Sequence, residues 1–135
     1  MASGRYNIAV GLLIMAGFMV LGFVLIYLRD FAPGKEAWVA SYDTGAHFET
    51  RLAHVHGNLF ATLNIVVGLF LARSTASASA RKWVAILMLV GLLMPAGILA
   101  EVTLSASPIF VLVGALSITV GTTWAGVLAL RGDVA

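Results

Sequence analysis

Residues 52–72 read LAHVHGNLFATLNIVVGLFLA. A helix needs about 20 mostly apolar residues to cross a hydrocarbon core roughly 30 Å thick, and this stretch is long enough. Its residues do not alternate between apolar and polar, as the strands of a membrane barrel must. The segment therefore reads as a spanning helix, and His54, His56, Asn58 and Asn64 within it need a reason to be there.

Outward from this stretch, three further segments pass the same test: 7–28, 83–104 and 109–130. Pro108 and the serines around it make a tight turn, so the last two spans are antiparallel neighbours. Of the 135 residues, 61% are hydrophobic and only 10% charged. Soluble domains carry about 45–50% apolar and about 25% charged residues, so a water-soluble globule is excluded. The reading is one all-α domain over residues 1–135, an integral membrane bundle of four transmembrane helices. The absence of cysteine removes disulfides, cysteine zinc sites, iron–sulfur clusters and thiol nucleophiles. No glycine-rich phosphate loop or G-x-S-x-G elbow occurs. The net charge of +2 comes from few groups, which gives no reason to expect nucleic acid as a partner.

Basic residues set the orientation. Arg5, Arg73, Arg81, Lys82 and Arg131 fall on one side of the spans. Arg29, Lys35 and Arg51 fall on the other, offset by Asp30, Glu36, Asp43 and Glu49. Both termini are thus expected in the cytoplasm, with the longer loop 29–51 outside, in a bacterial inner (plasma) membrane. Tyr6, Tyr27, Trp38, Tyr42 and Trp83 lie near span ends, where interfacial aromatics belong. The first span is too long for a signal peptide, and no small-residue cleavage site follows it. The Ser/Ala run from Ser74 to Ala80 reads as a flexible linker.

An ionisable group inside a bilayer costs roughly 2.5–3.5 kcal/mol on insertion scales, so such residues are functional candidates. The segment from Thr44 to Asn58 holds all three histidines, and Glu101 is the one acid within a span. Both regions belong to the same end of the antiparallel topology. At about 100° per residue, His47, Arg51, His54 and Asn58 form one narrow stripe. His56 points away from it, on the side of Glu49 and Phe60. His54 and His56 therefore cannot share one metal ion, and His47 and His54 stand about 10.5 Å apart along the axis. Each histidine can instead offer one axial nitrogen to a flat cofactor, its other ring nitrogen held by a neighbour.

Structural readings compete at every one of these positions. His47 reads as a solvated headgroup residue, and His54 and His56 as interhelical hydrogen-bonding groups. Asn58 and Asn64 read as helix–helix glue, Arg51 as a snorkelling cation, and Glu101 as a hydrated surface acid. Met15, Met19, Met88 and Met94 sit among leucines as packing residues. Ser117, Gly121 and Ala125, four apart, allow close helix packing, within the bundle or between protomers.

Four spans, a long first loop bearing Trp38, the run Arg51-Leu52-Ala53-His54-Val55-His56-Gly57 followed by Asn58 or Asn64, and the basic Ala80-Arg81-Lys82 loop together resemble styrene oxide isomerase. The resemblance implies a small homo-oligomer, a trimer, binding haem b through a histidine of the second helix, here His54 or His56. Ferric haem would act as a Lewis acid on an epoxide oxygen, opening the ring to an aldehyde without redox turnover. The small apolar substrate would arrive from the lipid bilayer. Arg51 and Asn58 would help hold the cofactor, and Glu101 and Asn64 would be the catalytic candidates. The family's third-span aspartate and tyrosine have no counterpart in the stretch from Gly91 to Leu99. Two other functions fit the same residues. One is a small cytochrome b-like electron-transfer protein, taking a second axial histidine from another protomer. The other is a cofactor-free accessory subunit of a membrane complex.

Overall fold

The computed structural model describes residues 2–133. Its helices are α1 (Ala2–Asp30), α2 (Lys35–Ala40), α3 (Gly45–Arg73), α4 (Ala78–Gly91), α5 (Leu93–Leu104) and α6 (Ile109–Leu130). Four helical stretches are long and apolar enough to cross a membrane, with α4 and α5 together forming the third. Helices cover all four stretches expected to span, and the fourth has the expected bounds. The others are longer, because polar ends continue as helix past the apolar core. The loop expected over 29–51 is largely helical: α2 occupies its middle, and α3 already begins at Gly45.

The third span breaks where the chemistry requires it. Pro95 has no N–H to give the carbonyl of Gly91, and its ring crowds that carbonyl. The helix stops at Gly91 and restarts at Leu93, with Leu92 N–H bonding the Leu89 carbonyl at 3.1 Å in a tightened turn.

Helices α1 and α3 make the most extensive contact in the bundle. Along their seam Gly4 meets Gly68, Gly11 meets Ala61, Phe18 meets Gly57 and Gly22 meets His54. The numbers rise on one helix and fall on the other, so the pair is antiparallel. A Cβ on Gly68 would lie 2.8 Å from the Gly4 carbonyl oxygen, so the backbones touch there only because no side chain intervenes. Helix α3 also packs on α4 and α5, which in turn carry α6. The main core joins Phe60, Val67, Leu71, Val84, Met88, Ile118 and Leu128. A smaller cluster of Phe18, Ala53 and Ile98 lies toward the α2 end.

The small residues of α6 serve the bundle itself. Gly121 and Ala125 are buried, and a Cβ on Gly121 would lie 3.0 Å from the Met88 sulfur. The Ser/Ala run is also more ordered than a flexible linker. Thr75 N–H bonds the Asp133 carbonyl at 3.0 Å, Arg81 bonds the Ser74 carbonyl at 3.1 Å, and Ser77 caps α4 through Ala80 N–H. Leu13, Phe23 and Leu116 are among the large apolar side chains facing outward, as a lipid-solvated surface requires.

Candidate functional site

The stripe foreseen on α3 has a cavity in front of it. His47, Arg51, His54 and Asn58 line a space of about 780 Å³, together with Met19, Gly22, Phe23, Leu25, Ile26 and Arg29 of α1 and Val39 and Tyr42 from the α2 region. Its size falls within the roughly 300–1,000 Å³ of small-molecule sites, and its walls are mostly apolar with a few polar groups on one side.

His54 sits where α1 and α3 are closest at this end. Its Nδ1 lies 2.8 Å from the Phe18 carbonyl oxygen. A carbonyl only accepts, so Nδ1 carries the proton, and Nε2 keeps a free lone pair. The ring fits because residue 22 is glycine: a Cβ there would lie 2.9 Å from His54 Cε1. Asn58 bonds the backbone carbonyl of His54 at 2.9 Å. Its amide nitrogen is also 3.5 Å from His54 Nδ1, but two donors face each other there and no hydrogen bond forms.

His47 is not the solvated residue expected. It is buried, with 6% of its surface exposed. Its ring stacks on Trp38 at 4.2 Å and meets Tyr42 edge-on at 5.4 Å, and its Nδ1 donates to the Trp38 carbonyl at 2.6 Å. The residue pins α2 to α3, which encloses the cavity on that side. Arg51 does more than snorkel toward water. Its guanidinium lies 3.4 Å from the Tyr42 ring centroid and donates to the Tyr42 carbonyl at 3.1 Å and to the Tyr42 hydroxyl.

The other expected site residues lie elsewhere. His56 faces away from the cavity, as its helical phase requires. Its Nδ1 donates to the Leu52 carbonyl at 2.9 Å, and its ring meets Phe60 edge-on at 5.8 Å. Asn64 is fully buried in the centre of the bundle. Its amide donates to the Phe60 and Met88 carbonyls at 3.0 and 2.9 Å, and its oxygen accepts from Asn7 at 2.9 Å. Asn7 also donates to the Ala85 carbonyl at 3.0 Å. Glu101 lies in the last turn of α5, away from the cavity lining, and its Oε1 is buried without a hydrogen-bond partner. Among the described residues no three His, Cys, Asp or Glu side chains gather to hold a metal ion.

Sequence reasoning passed over Asn7, whose position at the depth of Asn64 on an antiparallel neighbour was a usable signal. It also left Trp38 and Tyr42 as interfacial aromatics, whereas they form the wall around His47. Compared with family models, with curated proteins and with solved structures, the chain matches none of them.

Proposed function

We propose that this chain is a haem b-binding integral membrane protein, with His54 as the axial ligand. The observation that carries this reading is the His54 tautomer. An Nδ1 proton given to a backbone carbonyl, with no hydrogen-bond partner at Nε2 in a residue that lines a mostly apolar cavity, is the arrangement a ligating histidine adopts. The donor set fits the group: one neutral imidazole, mostly apolar walls for a flat ring, and Arg51 near the α2 end for an acid side chain. His56 lacks a place on the cavity, so His54 is preferred to it.

When bound with an open position, haem iron supplies a Lewis acid that polarises an oxygen atom. The chain's own residues do the rest. The Phe18 carbonyl fixes the imidazole plane, and Gly22 leaves room for it. Met19, Phe23 and Val55 keep water from the reacting group. Their outer surfaces are open toward lipid, which suits a small apolar substrate coming from the bilayer. Isomerisation of an epoxide is the reaction to assay first. Neither Glu101 nor Asn64 borders this cavity within its own chain. Tyr42 is the hydroxyl that does.

The basic-residue asymmetry supports both termini on the cytoplasmic side of a bacterial plasma membrane. A homo-oligomer is consistent with so small a unit, with a trimer as the order that the resemblance implies.

The test is the absorption spectrum of detergent-purified protein expressed with a haem precursor. Wild type and His56→Ala are expected to show a Soret band, and His54→Ala to lose it. Folded, monodisperse wild type without a Soret band overturns the reading and leaves the accessory-subunit alternative. A six-coordinate low-spin spectrum with reversible redox chemistry turns it toward electron transfer.

A further inference from the structure

Two arginines border the cavity, and no carboxylate does. Arg29 is matched by Asp30, with hydrogen bonds of 2.9 and 2.7 Å. Arg51 is not: among the described residues its nitrogens have no carboxylate within 4.0 Å. Its partners are the carbonyl, ring and hydroxyl of Tyr42, all neutral. A guanidinium has five N–H groups, and only two of Arg51's are engaged by these bonds. Because the Tyr42 hydroxyl accepts from Arg51, its own proton is left to donate. A planar fork of donors beside an O–H group is complementary to a carboxylate. The α1 side of the space is mostly apolar, and Met19 and Phe23 leave it open to lipid.

We propose that Arg51 and Tyr42 form a clamp for the acid group of a carboxylate-bearing amphiphile, whose apolar body lies between α1 and α3. The acid belongs either to a tetrapyrrole or to an acyl chain, and the clamp is the same for both. For a tetrapyrrole it rests on the reading above, which gives Arg51 the acid side chain, but neither iron nor His54 takes part in it.

The experiment titrates detergent-purified protein with iron-free protoporphyrin IX and with its dimethyl ester, followed by tryptophan fluorescence. Oleate and methyl oleate serve as competitors. In wild type the free acid is expected to bind about tenfold tighter than the ester, the scale of one charge-assisted contact. Arg51→Gln should erase that preference with an unchanged elution profile and thermal midpoint, Arg51→Lys should keep part of it, and Tyr42→Phe should lower it several-fold. Displacement by oleate but not methyl oleate assigns the acyl source, and displacement by neither assigns the tetrapyrrole. Equal binding of acid and ester by wild type, or a preference that survives Arg51→Gln, overturns the clamp. The probes lack iron, so such a failure leaves the His54 spectrum standing, and loss of the haem reading leaves the clamp standing.

Discussion

Helix α3 carries polar side chains in two places, and they behave in opposite ways. Around Asn64 every amide proton has a carbonyl, the oxygen accepts from Asn7, and no surface is exposed. Around His54 only one ring nitrogen is satisfied, by Phe18, and the residue lines a cavity. Both places tie α3 to α1, so position in the bundle does not separate them. The cavity does: His54 borders it, and neither Asn7 nor Asn64 does. A fully buried polar pair holds helices together even where one acceptor, here Asn7 Oδ1, goes unused, whereas a group with a lone pair left over beside a cavity can take a ligand.

The seam that both regions share gives the largest effect. Gly68→Val puts a branched side chain against the Gly4 backbone, where even a Cβ would lie 2.8 Å from a carbonyl oxygen. Neither backbone can move aside cheaply, so a loss of about 3 kcal/mol or more is expected, at the upper end for overpacked sites. Thermal unfolding in detergent measures it. A midpoint within a degree or two of wild type would mean the seam is looser than described.

Asn64→Leu comes next. It removes the acceptor for Asn7 and the donor to the Met88 carbonyl. The expected cost is about 1–3 kcal/mol, since membrane hydrogen bonds are individually modest but an orphaned buried group is not. The double variant Asn7→Leu/Asn64→Leu should recover part of it, because the orphaned Asn7 amide is then removed as well, leaving only the Met88 carbonyl without its side-chain partner. The haem spectrum of the single variant should match wild type. A Soret band that disappears with Asn64→Leu would erase the distinction between the two regions.

The fold was legible because bilayer thickness translates directly into run length, and the last span was read to the residue. Pro95 marked the break in the third span. The site was legible as far as helical phase reaches: 100° per residue put His47, Arg51, His54 and Asn58 on one face and His56 on another. What faced that stripe was not legible. The Phe18 carbonyl and the gap at Gly22 are backbone features of another helix, set by the register of α1 against α3. Loop 29–51 misled for a related reason. Its polar residues signal solvent, but stacking of Trp38 on His47 gives the segment a folded wall of its own.

Gly22→Ala probes that register with a smaller change. The added methyl meets the His54 ring at 2.9 Å, a side chain that can tilt, and not backbone. Alanine is better than glycine in a helix by up to about 1 kcal/mol, and a weakened bond from His54 to Phe18 costs about as much, so stability should stay near wild type. Ligation should suffer, because tilting the ring pulls Nδ1 from the Phe18 carbonyl and re-aims Nε2. A weaker or shifted Soret band at unchanged thermal midpoint is the expected pair of readings. An unchanged spectrum would mean that the imidazole is not held by this contact.

The smallest effect is expected at Asn58, although it lines the cavity beside His54. Its amide bonds the His54 carbonyl one turn back, a local contact that any α-helical turn replaces with its own N–H. Nothing from another helix depends on it, and its approach to His54 Nδ1 pairs two donors. Asn58→Ala should therefore change stability by less than about 0.5 kcal/mol, and haem affinity by no more than about twofold, as for a substitution outside any buried network. Titration with haem followed at the Soret maximum, beside thermal unfolding, measures both. A tenfold loss of affinity would show that Asn58 touches the bound group, and its amide would then join His54 among the side chains with bonding capacity left for a ligand.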